Sequence, residues 1–232
     1  MSDEKIVGII GGMGPAAAVE FQQRIIDATP AENDGDHIHT IVDNNSKIPS
    51  RLEALIDGTG INPGPCIAQM AKRLETAGAD FLVIPCNTAH HYYDYLVDAV
   101  SIPVSNMIEL TIDHIRQKQP DITTIGLLAS SAVQQIGLYE KYCAKVGLDV
   151  LFPENQDEVM SVILAIKAGQ LNDQLTIQFT SAIENLKNRG AGCAVLACTE
   201  LSIIDNSGKA PLPVYDTLDV LAQHVVSNVK GT

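Results

Sequence analysis

Tryptophan is absent from this 232-residue chain, and aromatic residues make up only 4% of it. An aromatic cage or a base-stacking platform has little to be built from. Positive charge is scarce as well: 15 Lys and Arg stand against 28 Asp and Glu, a formal net charge of −13. Nucleic acid and anionic membranes demand positive potential, so neither is expected as a partner. An anionic small molecule would need a local cationic pocket within an acidic surface. No apolar run approaches the roughly 18 residues of a spanning helix. The opening MSDEKIVGII is acidic where a signal peptide is basic. The expected setting is therefore the cytoplasm, with Cys66, Cys86, Cys143, Cys193 and Cys198 reduced. Their number is odd and no CxxC occurs, which excludes the usual pattern of a disulfide framework or a zinc ribbon. Taken singly, each is a small buried hydrophobe.

What is present is an alternation of short β-branched runs with longer helical patterns, the signature of parallel α/β structure. Strands are predicted near 5–10, 37–43, 80–85, 102–105, 122–128, 148–152, 193–197 and 212–215. They form two sets that resemble each other. KIVGIIGG at 5–12 matches TTIGLLAS at 123–130, with Gly8 over Gly126. GADFLVIPCNT at 78–88 matches GAGCAVLACTE at 190–200, with Cys86 over Cys198. IPVSNMIELTIDHI at 102–115 matches LPVYDTLDVLAQHV at 212–225. The order is collinear and the offsets shrink smoothly from 118 through 112 to 110, as a duplicated unit with a shorter second copy would give.

Duplication decides how the cysteines are read. Cys86 and Cys198 each sit just past a buried strand and before polar residues able to open a helix. Parallel sheets bind ligands at the carboxyl ends of their strands, near helix N-termini. Two lobes related by a pseudo-twofold axis would present both thiols to one cleft. Inverting a carbon centre needs a base on one face and an acid on the other, and two thiols can exchange those roles. Helix N-termini and cations favour thiolate, and two thiols so close would titrate as a coupled pair. Arg51 and Lys167 are candidate cations, Arg for bidentate carboxylate binding and Lys as a compact charge.

Other motifs have competing readings. Gly12-Met13-Gly14-Pro15-Ala16-Ala17 fits a dinucleotide fingerprint, with Asp43 as its acidic residue. Pro15 reads instead as the first residue of a helix, in a loop offering backbone amides or Met13 to a small carboxylate. Cys86, His90 and His91 suggest a metal site only weakly, since three ligands so close would be strained. No metal is expected. His90 reads as a capping or supporting hydrogen-bond group and His91 as exposed. Cys193 should point into a core layer, and Cys66 and Cys143 sit in helical patterns.

CNTAH, CTE, the GIIGGMGP loop and NNSKIPSR at 44–51 together resemble the aspartate/glutamate racemase family over essentially the whole chain. The resemblance implies a racemase independent of pyridoxal phosphate, with no cofactor, acting on aspartate or a related acidic amino acid. It implies Cys86 and Cys198 as proton donor and acceptor, Arg51 and Lys167 on substrate carboxylates, and Asn87, Thr88 and Thr199 as hydrogen-bonding residues. It also implies a homodimer. Glutamate racemases commonly carry His where this chain has Glu200, which favours the aspartate branch. The family often has Asp where this chain has Ser50, and Gly where it has Ala197.

The expected fold is thus α/β, with two pseudo-twofold related lobes, each a four-stranded parallel sheet flanked by helices. Residues 1–106 with 208–232 would form the lobe holding Cys86, and 107–207 the lobe holding Cys198. Other thiol chemistry on small dicarboxylates (decarboxylation or cis–trans isomerisation) and a non-catalytic amino-acid-binding module remain as alternatives.

Overall fold

The protein is described by a computed structural model over residues 4–204 and 210–231. One unit comprises the chain up to Leu110 and again from Leu218, and the second comprises Thr111–Thr217. The boundary expected at 207/208 lies outside the described residues.

The first unit holds β1 (Val7–Gly11), α1 (Pro15–Ala28), β2 (Thr40–Asn44), α2 (Gly64–Thr76), β3 (Phe81–Val83) and α3 (Tyr93–Val97). Next, α4 (Met107–Lys118) leads into the second unit, with β4 (Thr124–Ala129), α5 (Ser131–Gln135), α6 (Leu138–Cys143), β5 (Asp149–Leu151), α7 (Gln156–Lys167), α8 (Asp173–Asn188), β6 (Cys193–Ala197) and β7 (Val214–Asp216). Finally α9 (Thr217–Lys230) returns to the first unit.

Both sheets are parallel, in the orders β2-β1-β3 and β5-β4-β6-β7. The ladders reproduce the sequence repeat residue for residue. Gly8 pairs with Leu82 and Gly126 with Ala194. Leu82 in turn bridges to Val104, and Ala194 pairs with Val214. The backbone N–H of Leu82 donates to Pro103 O at 2.8 Å, and that of Ala194 donates to Pro213 O at 2.9 Å.

The sheets differ at their fourth strand. Residues 102–105, expected as a full strand, make only the isolated bridge at Val104. The hydrogen bonds that would extend this pairing are made elsewhere: the Met107 N–H donates to His90 Nε2 at 3.0 Å, and Ile84 O accepts from the Cys86 N–H at 2.8 Å. In the second unit β6 runs on through Ala197.

Strand periodicity explains the core. Val7 and Ile9 pack with Phe81 and Val83 on one face, against Phe21 and Ile25 of α1 and Leu218, Leu221, Ala222, Val225 and Val226 of α9. Those α9 positions form one helical stripe. Ile10, Leu82 and Ile84 pack on the other face, against Ile67, Met70, Ala71 and Leu74 of α2. In the second unit α7 and α8 bring Val159, Val162, Ile163, Ile166, Leu175, Phe179, Ile183 and Leu186 onto Leu128, Ala194 and Leu196. Each such side chain contributes about 1.5–3 kcal/mol before chain entropy is counted. No described helix is long and apolar enough to cross a membrane.

The helices press close because the first strand of each unit carries a glycine. A Cβ on Gly8 would lie 2.5 Å from Leu82 Cδ2 and 3.2 Å from Leu74 Cβ. A Cβ on Gly126 would lie 2.7 Å from Leu186 Cδ1. Leu74 and Leu186 are themselves equivalent in the repeat, so the same helix-on-strand contact occurs twice.

Candidate active site

In the first unit the loops after β1, β2 and β3 converge. The turn at Gly12 has φ +95, and a Cβ there would sit 2.1 Å from Asn45 O, so only glycine lets the two loops meet. Pro15 then opens α1 with Gly14 as its N-cap residue. Asp43, the acidic residue a dinucleotide would need, receives the Arg73 guanidinium, with Nε 3.0 Å away. Met13 is buried in the same apolar cluster as Ile48, Cys86 and Tyr92.

Arg51 follows Ser50 on the segment after β2. Ser50 Oγ accepts from the Glu53 N–H at 3.2 Å and so caps the short π-helical stretch Glu53–Asp57. It takes the capping role but brings no charge to Arg51. The guanidinium donates through Nη1 to Pro49 O at 3.2 Å, while its buried Nε has no hydrogen-bond partner among the described residues. Burial raises the Tyr92 phenol, and the Arg51 charge opposes that rise. Arg51 therefore lies within electrostatic reach of the cluster that contains Cys86. An unsatisfied buried guanidinium N–H is costly and is met by an anion.

Cys86 is 7% exposed, at the carboxyl end of β3. Beyond it the chain enters a 3₁₀ turn at Thr88–Tyr92 rather than a long α-helix, so the dipole expected to support the thiolate is small. Asn87 is buried and Thr88 half-buried on this turn. His90, fully buried, ties the turn down. Its Nδ1 lies 2.9 Å from Cys86 O and its Nε2 accepts the Met107 N–H at 3.0 Å. Because Nε2 accepts, Nδ1 carries the proton and donates. Burial pulls His90 down to about 4, against the opposing bonds from the Cys86 and Asn87 backbone. With both ring nitrogens engaged, His90 has none left for a metal, and His91 is exposed. Among the described residues no cluster of three or more His, Cys, Asp or Glu could hold a metal ion.

In the second unit Cys198 is 8% exposed beyond β6 and packs with Ile166 and Leu201. A turn leads to the 3₁₀ segment Leu201–Ile203. Here the sulfur itself is held. Cys198 Sγ donates to Glu200 Oε2 at 3.0 Å. Lys167, the last residue of α7, brings Nζ to 3.3 Å from Glu200 Oε1. A cation at that helix terminus is favoured by the helix dipole. Thr199 is buried between Cys198 and Glu200, and Ser202 Oγ donates to Asp216 Oδ1 at 2.7 Å.

Met13, Arg51, Asn87 and Thr88 thus gather with Cys86, and Lys167 and Thr199 with Cys198. Glu200 was not among the expected site residues. Its signal was its alignment with Thr88, an unmatched charge two places after the second cysteine. The remaining thiols behave as core groups: burial pushes Cys143 and Cys193 up to about 12. Cys66 is half-buried on α2, 3.8 Å from Asn45 Nδ2.

Comparison with known proteins bears on the family and the fold. A family profile described as Asp/Glu/Hydantoin racemase matches residues 10–225. The chain is 28% identical over 227 residues to the broad specificity amino-acid racemase RacX of Bacillus subtilis (strain 168), covering 96% of this chain and 97% of the relative. Among solved structures, Picrophilus torridus aspartate racemase is similar at 31% identity and a TM-score of 0.86, covering 97% of this chain and 94% of the other. A putative Asp/Glu racemase from Yersinia pestis is similar at 25% identity and a TM-score of 0.82, covering 97% and 99%.

Proposed function

The chain belongs to the Asp/Glu/hydantoin racemase family, and on that premise we propose that it interconverts the enantiomers of aspartate or a related acidic amino acid without a cofactor. The observation that carries the reading is the pair of thiols, Cys86 and Cys198, at the carboxyl ends of equivalent strands in two copies of one fold. One thiolate takes the α-proton. The electron pair left on the α-carbon delocalises into the carboxylate, and the other thiol delivers its proton to the opposite face. The next turnover in reverse restores the starting protonation.

An acidic substrate is supported by two cations in a chain of net charge −13: Arg51, whose charge is felt at Tyr92 of the Cys86 cluster, and Lys167, paired with Glu200. Arg51 would hold a carboxylate and lower the barrier by stabilising charge that develops as the proton leaves. Lys167 would serve the second carboxylate, with Met13, Asn87, Thr88 and Thr199 shaping the site. The Picrophilus torridus relative bears the name aspartate racemase, whereas the Bacillus subtilis one is of broad specificity, so aspartate heads the substrates to try. A cytoplasmic homodimer is part of the same proposal.

The test is solvent deuterium uptake at Cα when the purified protein meets L-aspartate in D₂O with no added cofactor. Uptake accompanied by D-aspartate supports the reading. Decarboxylated or alkene products would assign other thiol chemistry, and binding without exchange would assign a binding module.

A further inference from the structure

We propose that Glu200 is a positioning residue that makes the two thiols unequal: it holds the Cys198 proton on sulfur, so that Cys198 rests as the acid and Cys86 as the base. The inference rests on the two-thiol reading above and adds to it a direction at rest.

The geometry is that of a three-membered chain. Lys167 Nζ faces Glu200 Oε1 at 3.3 Å, and Glu200 Oε2 accepts from Cys198 Sγ at 3.0 Å. The Glu200 side chain is 7% exposed, against 36% for Lys167. A buried carboxylate stays ionised only beside a partner charge, which Lys167 supplies. An ionised carboxylate is an acceptor alone, so the shared proton belongs to sulfur. A thiolate at the same place would face a carboxylate at hydrogen-bond distance and be repelled. Among the described residues no carboxylate is bonded to the Cys86 sulfur, and Thr88 occupies the position equivalent to Glu200. There the cysteine's carbonyl, not its sulfur, is engaged, by His90.

Nearby in the same unit, Asp216 of β7 accepts from Ser202 and is a second negative group. Tyr139 of α6 lies in the field of Asp216, and burial raises its phenol well above the usual value, which keeps it neutral.

In the resting form Cys86 thiolate takes the α-proton and Cys198 S–H gives its own, leaving Cys86 S–H and Cys198 thiolate. Racemisation has an equilibrium constant of one, so kcat/KM is equal in the two directions whatever Glu200 does. The asymmetry must be read elsewhere.

Site-resolved alkylation reads it. Intact wild type and Glu200→Gln are labelled with iodoacetamide across pH, and each cysteine peptide is quantified by mass spectrometry. Wild-type Cys198 should need higher pH than Cys86. In Glu200→Gln its profile should move down by about one pH unit, roughly a tenfold faster rate at fixed pH, because repulsion is lost and Lys167 is freed to meet the thiolate. Cys143 and Cys193 should stay unlabelled in both proteins, which reports that the variant is folded. The alkaline limb of the kcat/KM profile should move down with Cys198, while KM for aspartate stays within about threefold. A Cys198 profile identical in the two folded proteins, or one moved to higher pH, overturns the inference. Cys198→Ala separates the two readings: racemisation that survives it removes the two-thiol mechanism, while the labelling shift still reports the Glu200 contact.

Discussion

The two cysteine turns share a framework and differ in what grips the cysteine. Each follows the strand third in its unit, and each is stitched to the start of the helix that follows the fourth. In the first unit the stitch is His90 Nε2 to the Met107 N–H, and in the second it is Ser202 Oγ to Asp216. A neutral imidazole fixes the Cys86 backbone, whereas a carboxylate fixes the Cys198 sulfur. Duplication preserved the scaffold, where a change would disturb packing along a whole strand. It let the polar residues beyond the strand diverge, so that a backbone carbonyl is gripped in one turn and a sulfur in the other.

The sharpest break of this comparison is removal of either sulfur. Cys86→Ala and Cys198→Ala should each abolish racemisation, measured by chiral chromatography, because neither turn can replace the other's role. A Cys→Ser change leaves at most a trace. Next in size is Arg51, the candidate cation of the first unit, on the segment after β2. Arg51→Lys keeps the charge but loses the fork and should lower kcat/KM for aspartate about ten- to a hundredfold, with Arg51→Ala lower still. Unchanged steady-state kinetics in Arg51→Ala would take Arg51 out of the site.

Stability offers a subtler contrast, since only the first turn contains a buried histidine. The folded-state value of His90 is about 4 and its ordinary value 6.5. The unfolded chain therefore binds the proton first on acidification. The stability His90 contributes is complete above pH 6.5 and is lost as pH falls towards 4, about 3 kcal/mol in all. Urea melts over that window should show a shallower acid slope for His90→Gln than for wild type. Equal slopes would mean that His90 is not held neutral as described. The smallest effects should fall on the shared scaffold. Gly8→Ala and Gly126→Ala should each cost about 1–3 kcal/mol by overpacking a helix, and by similar amounts. A large cost at one and none at the other in thermal melts would weaken the equivalence of the two units.

Much of this was legible in the sequence because it depends on local periodicity. The parallel α/β class, the repeat, the return of the last helix and the place of both cysteines follow from runs such as FLVIP and CAVLA and their alignment. The short fourth strand of the first unit was not, because its cause is the Met107 N–H donating to His90, 17 residues away, rather than to the neighbouring strand. The Lys167–Glu200–Cys198 chain was half legible. Lys167 and Cys198 were candidates, but the carboxylate joining them is two places from the cysteine, a spacing without meaning until the turn brings its oxygen to the sulfur. The helix dipoles expected behind the cysteines proved to be short 3₁₀ turns, since polar residues after a strand signal a turn without fixing its length.

The central claim is that each thiol serves one face of the α-carbon. It is tested most directly by following Cα deuterium exchange from L- and D-aspartate separately in Cys86→Ala and Cys198→Ala. Each variant should exchange one enantiomer without racemising it, and the two variants should retain opposite enantiomers. Racemisation near the wild-type rate in either variant, or retention of the same enantiomer by both, would contradict the account.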